Sequence, residues 1–217
     1  DMYGAWQPTQ VTYPLGNVTV VSPVNPSKII GVGLNYKAVA QAKGVEFPPQ
    51  PILFLKPPSG LIGPDEAIVL PPAVKDPAFE VEVAVVIGKK AKNVPEAQAL
   101  DVVFGYSLTN DVTAKDHMPK GQPWARGKSF DTFTAVGPFI VTGLDPDNID
   151  IRLTVNGAEK QNSNTADMIF GIRKLIADIS AIMTLEPGDV ILTGTPPGGG
   201  AFAAGDSIEL SSPQLGT

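Results

Sequence analysis

Apolar positions along this chain fall mostly in short runs, many at a period of two, cut repeatedly by glycine and proline; only one stretch carries a long helical period. Lys28 to Gly33 reads as a buried strand, residues 35–43 as a short helix-prone stretch ended by Gly44, and Pro48, Pro49 and Pro51 force an extended connection. Residues 52–56 and 67–70 are strand candidates separated by turn-rich segments, and the strongest β pattern runs over 79–87. A modest helix is expected over 95–102, with Pro95 in its first turn. The long amphipathic helix is expected over 166–183, where Met168, Ile169, Ile172, Leu175, Ile176, Ile179, Ile182 and Met183 share a face and Thr165 caps the start. After the turn at Glu186, Pro187, Gly188 and Asp189, residues 190–193 form a strand. Strands outnumber helices without regular alternation, which predicts an α+β, β-rich fold. Residues 1–27, with β-prone pieces at 10–13 and 17–21, read as an N-terminal arm or small strand pair, and residues 28–217 as one compact domain.

A length of 217 residues, 43% of them hydrophobic, allows a sizeable core. The 22 glycines and 22 prolines fit a chain that turns often between short strands. A formal charge of -6 gives no broad basic surface for phosphate backbones, so the expected partner is a small molecule and not a nucleic acid. With no apolar run long enough for a spanning helix and no signal-like start, no membrane partner is expected, and the cytoplasm is the default compartment. The absence of cysteine excludes disulfides, thiolate metal sites and a cysteine nucleophile.

Candidate chemistry lies in the acids. On a strand over 79–87, Glu80 and Glu82 share one face and Val81, Val83 and Val85 the other. Two glutamates on the wet face of an edge strand would give the same pattern. That face, however, continues into Ala84 and Val86, which places the acids at the mouth of a core, where two like charges repel and a cation would stabilise them. Asp111, just after another expected strand, is a fitting third ligand. An all-oxygen set suits Mg²⁺, Mn²⁺ or Ca²⁺ far better than Zn²⁺.

Glu80-Val81-Glu82, Gly105-Tyr106 leading to Asn110 through Asp116, Gly127 through Phe133, Ser163-Asn164-Thr165 and Gly188 through Pro196 occur in an order that resembles the fumarylacetoacetate hydrolase superfamily. The resemblance implies mixed, rolled β-sheets and a homodimer. It also implies Mg²⁺ or Mn²⁺ on Glu80, Glu82 and Asp111, with a small keto acid as substrate. In that comparison Lys128 resembles a lysine beside the substrate, Thr195 a substrate-contacting hydroxyl, and Asn35 and Tyr36 belong to a substrate-side lid motif. Hydrolytic relatives often carry Asn-Tyr-x-x-His-x-x-Glu there, the His and Glu activating water; here those positions are Val39 and Ala42. The one histidine, His117, follows Asp116 on the segment that carries Asp111 and is either near the metal or on a surface loop.

Three accounts follow. The first, and the leading expectation, is a metal-dependent hydrolase cleaving a C–C bond of an acylpyruvate or related β-diketo acid. The second is a decarboxylase, isomerase or tautomerase of oxaloacetate-like or unsaturated dioic keto acids, working without activated water. The third is a ligand-binding homologue with no turnover. Substrate selection is expected from the lid around Val39 and from residues 119–124.

Overall fold

A computed structural model describes residues 3, 4, 7, 10–120 and 123–217. In chain order its strands are β1 (Ile29–Gly33), β2 (Ile52–Lys56), β3 (Leu61–Ile62), β4 (Pro77–Phe79), β5 (Val81–Ile87), β6 (Val103–Asp111), β7 (Thr113–Ala114) and β8 (Thr134–Val136). They continue with β9 (Asp150–Val155), β10 (Ala158–Asn164), β11 (Val190–Leu192), β12 (Gly200–Ala201) and β13 (Ile208–Ser211). The helices are α1 (Lys37–Ala42), α2 (Ala125–Lys128) and α3 (Ile172–Ile182). A seven-stranded sheet runs β2-β1-β11-β5-β6-β8-β3, and two three-stranded sheets run β10-β9-β13 and β12-β4-β7. The fold is mixed α+β and sheet-rich, as the hydrophobic pattern requires.

Strand β5 lies between β11 and β6 and is buried at every position, Glu82 included, so both of its faces are otherwise apolar. Val81, Val83 and Val85 join the larger core with Ile172, Leu175, Ile176 and Ile179 of α3, whereas Ala84 and Val86 pack with Ile29, Val190 and Leu192 on the other face. Each fully buried aliphatic side chain contributes about 1.5–3 kcal/mol. Buried Asp189 fastens β11 to the start of β1 by accepting from Ser27 N–H, from Lys28 N–H and from the Lys28 ammonium.

Several local expectations are corrected. Residues 10–13 and 17–21 form no strand pair; a 3-10 turn at Leu15–Asn17 takes their place, and Val18, Val20 and Val21 stay exposed because no sheet edge receives them. Residues 67–70 are not a strand either. Val69 N–H is taken by the Thr132 hydroxyl, and Pro71 and Pro72 follow at once. The helix expected over 95–102 is a 3-10 helix, Glu96–Val102, with Pro95 just before it. Helix α3 starts at Ile172 rather than 166, because Asn35 claims the intervening backbone: its carbonyl accepts from Ile169 N–H and its side-chain oxygen from Phe170 N–H. Thr165 does not cap; it is buried, donates to Pro146 O and accepts from Ile149 N–H.

Among the described residues, no helix is long and apolar enough to cross a membrane.

Candidate metal centre

The strand expected over 79–87 is broken at Glu80, and the break builds the site. Strand β4 belongs to a three-stranded sheet and β5 to the seven-stranded one, so the chain changes sheets at Glu80. Strand β6 ends at Asp111 in the large sheet and β7 resumes at Thr113 in the small one, while β11 and β12 cross between the same two sheets. The acids therefore line a seam. Glu80 is tied to it from both sides: its N–H donates to the Asn110 side chain at 2.9 Å and its carbonyl accepts from Asp111 N–H at 2.9 Å. Carboxylate oxygens of Glu80, Glu82 and Asp111 come within 4.8 Å of one another.

Two of the three acids are sealed from solvent, Glu82 at 1% exposure and Asp111 at 0%. Glu82 is held by Gly194 N–H at 2.7 Å. Gly194 has φ +96°, and a β-carbon there would press on Asn35 and the Val32 carbonyl, so only glycine brings this N–H so close. Around Asp111 stand two lysines. Lys56 Nζ lies 2.5 Å from Oδ1 and 3.2 Å from Val112 O. Lys128 Nζ lies 2.5 Å from Oδ2 and 2.8 Å from Glu80 Oε2, with the Phe54 ring centroid 5.0 Å away. Phe54 in turn packs edgewise on Trp124, and the two rings cover Gly31 and Gly33, where any side chain would collide with them.

Charge in this space is finely opposed. Burial, then the repulsion of Asp111, pushes the Glu82 carboxyl well above the ordinary carboxylate range. Burial acts the same way on Asp111, but Lys128 and Lys56 overcome it and hold that carboxyl below its usual value. Burial pulls Lys56 down and wins. It also opposes the charge on Lys128, yet Asp111, Glu80 and Glu82 together drive that group up. An acid with a raised folded pKa adds stability below its unfolded pKa and loses it as pH rises through the folded value. Chelator-treated protein is therefore expected to lose the Glu82 contribution as pH climbs above 4.5 and through its raised folded value. Asp111 works oppositely: its contribution is present above 3.8 and lost as pH falls through its lowered folded value. Urea midpoints across acid to neutral pH, for wild type and Glu82→Gln, check both signs; a Glu82→Gln protein with the wild-type pH profile would contradict the first.

The donor set suits a hard divalent cation: three carboxylates, no nitrogen or sulfur, and a buried like-charge cluster that the two ammonium groups do not fully neutralise. Other residues singled out in the sequence are placed as follows. The Asn35 amide donates to Phe170 O and Thr193 O, so its side chain is committed to backbone. Tyr36 is buried, its hydroxyl has no hydrogen-bond partner among the described residues, and burial followed by the Glu82 charge raises its pKa. The Thr195 hydroxyl donates to Val81 O at 2.9 Å and accepts from Gln161 at 2.8 Å. His117 sits 3.1 Å from Ala73 O and packs on Phe130, and it does not join the carboxylate group. Val39 packs against the core at partial burial, and Ala42 is exposed. In the segment 119–124, Gly121 and Gln122 lie outside the described residues.

Two residues of the site carried no signal that sequence reasoning used. Lys56 closes an apolar strand before Pro57, and a lone charge at that position could have been read as reaching inward. Gln161, 1% exposed, accepts from Val81 N–H and donates to Thr195 and Pro196 O, fixing the loop that carries Gly194; it sits in a strand of polar residues that hides it.

Comparison with known proteins converges on the same region. Residues 28–217 match the family described as fumarylacetoacetate (FAA) hydrolase C-terminal. The mitochondrial oxaloacetate tautomerase Fahd2a of Rattus norvegicus is 43% identical over 215 residues, covering 94% of this chain and 69% of the relative. A crystal structure of 2-hydroxyhepta-2,4-diene-1,7-dioate isomerase from Mycobacterium marinum superposes with a TM-score of 0.91 at 41% identity, over 99% of this chain and 81% of that one. Maleylpyruvate hydrolase from Sphingobium sp. SYK-6, solved with manganese(II) ion and pyruvate, gives a TM-score of 0.81 at 39% identity, over 94% and 73% of the two chains. A buried carboxylate cluster at a sheet seam, set in a chain this similar to a tautomerase, an isomerase and a hydrolase, makes the protein an enzyme of the fumarylacetoacetate hydrolase family.

Proposed function

We propose that the chain catalyses a metal-dependent proton shift, a keto–enol tautomerisation or double-bond isomerisation, on a 2-oxo dicarboxylic acid. The observation that carries this reading is the lid. Helix α1 presents Val39 to the core and Ala42 to solvent, and its remaining polar groups point elsewhere: Lys37 donates to Ala166 O, and Gln41 is exposed. Nothing on α1 can activate a water, whereas the carboxylate and lysine cluster is complete. A proton shift needs the second and not the first. The tautomerase and isomerase relatives, at 43% and 41% identity, support the same choice.

Glu80, Glu82 and Asp111 would hold Mg²⁺ or Mn²⁺, which supplies Lewis acidity toward the negative charge that builds when a proton leaves carbon beside a ketone. Lys128, kept protonated by its acidic neighbours, balances the substrate's carboxylate. Lys56 fixes the Asp111 carboxylate through Oδ1. The Phe54 ring lies against the ammonium, and Trp124 packs edgewise on that ring. The Tyr36 hydroxyl, without a protein partner among the described residues, has a donor for a substrate oxygen. Thr195 acts through the loop that it anchors to Val81.

The test is the fate of oxaloacetate and unsaturated 2-oxo dioic acids in D₂O, with Mn²⁺ and with a chelator. A proton shift gives Mn²⁺-dependent deuterium uptake at carbon and an ultraviolet change with no fragmentation. Mn²⁺-dependent cleavage into two organic acids would overturn it in favour of C–C hydrolysis, the reading supported by the manganese-bound maleylpyruvate hydrolase relative.

A further inference from the structure

Both oxygens of Asp111 carry an ammonium group, Lys56 on Oδ1 and Lys128 on Oδ2, and Lys128 spans from there to Glu80 Oε2. A cation shared by Glu80, Glu82 and Asp111 needs an oxygen from each, and whichever oxygen of Asp111 it takes already carries an ammonium group. An ammonium and a divalent ion held on the same oxygens repel strongly in a space this dry. One lysine must give way, and the two are not equally free. Lys56 is 0% exposed at its side chain, ends a paired strand, and is also bound to the Val112 carbonyl. Lys128 ends a four-residue helix; besides the two carboxylates, its ammonium meets the face of Phe54, which attracts a cation without competing for a metal's oxygen ligands.

We infer that the divalent cation and Lys128 exchange places at Glu80 and Asp111, so that loading the site turns the Lys128 ammonium out along Phe54 toward the substrate anion, while Lys56 stays on Asp111. The inference rests on the metal reading above. It gives binding an order: cation first, then the keto acid, because the lysine that receives the acid is engaged until the cation arrives. Lys56 and Lys128 carry the same charge at the same distance from the same carboxylate, which makes each the control for the other.

Calorimetric titration of the whole chain with Mn²⁺ alone separates the cases. Lys128→Met is expected to bind Mn²⁺ at least about tenfold more tightly than wild type, and Lys56→Met to gain no more than a few-fold. Equal tightening in both variants would mean a general charge effect and would overturn the exchange, as would no tightening in Lys128→Met. If wild type binds no Mn²⁺, the metal reading itself falls. Should either variant fail to fold, wild type alone decides: mass-spectrometric mapping after acetic anhydride treatment should show Lys128 protected in chelator and acetylated with Mg²⁺. Protection in both conditions would overturn the exchange.

Discussion

Glu82→Gln should end metal-dependent turnover, with a fall of more than about 100-fold, because the loss even of an outer-shell partner costs 10–100-fold at metal sites and Glu82 is a direct donor in the proposed set. The protein itself should stay folded. Glutamine keeps an oxygen for Gly194 N–H and removes the charge that burial and Asp111 oppose, so the melting temperature of chelated protein should be unchanged or higher. Wild type, at about a hundredfold excess of Mn²⁺ over its dissociation constant, should gain roughly 2.7 kcal/mol, which the variant should not. Thermal melts with and without Mn²⁺, run beside the turnover assay, read both arms. A Glu82→Gln protein that is stabilised by Mn²⁺ as fully as wild type would remove Glu82 from the metal site.

How far this centre could be read without coordinates depends on how local its causes are. The burial of Glu82 follows from its own strand, since Val81, Val83 and Val85 must face a core and Ala84 and Val86 show that the other face is apolar too. The break at Glu80 does not follow, because it is made by the Asn110 side chain and the Asp111 backbone, 30 residues or so away in sequence, which no periodicity encodes. The same holds for α3: the apolar stripe from Ile172 to Ile179 was legible, but within the six residues lost from the expected start Ile169 and Phe170 are held by Asn35, 135 positions from Phe170. Asp111 was marked as a third acid just after an expected strand and Lys128 by family resemblance, whereas Lys56 was marked by neither, although its ammonium lies 2.5 Å from Asp111 Oδ1. Period-two and helical patterns report which face is buried; they do not report which charged residue is sent inside to meet another.

Lys56 carries the second large effect. Lys56→Met keeps most of the side-chain volume and removes the charge, leaving Asp111 Oδ1 and the Val112 carbonyl without their shared donor in a space with 0% exposure. Removing one partner from a buried pair costs about 3–5 kcal/mol; because Lys128 still holds Oδ2, about 3 kcal/mol is expected, a drop of roughly 6–12 °C in melting temperature for a chain of this size. Lys56→Met is expected to bind Mn²⁺ no more than a few-fold more tightly than wild type, so saturating Mn²⁺ should narrow the gap by less than about 1 kcal/mol, and Lys56→Ala, which also empties the volume, should lie below Lys56→Met in both conditions. The comparison needs only melting curves of wild type, Lys56→Met and Lys56→Ala in chelator and in saturating Mn²⁺. If Lys56→Met melts with wild type in chelator, Lys56 contributes nothing through Asp111. If Mn²⁺ instead closes most of the gap, Lys56→Met binds the ion far more tightly than wild type, and Lys56 competes with the cation for Asp111.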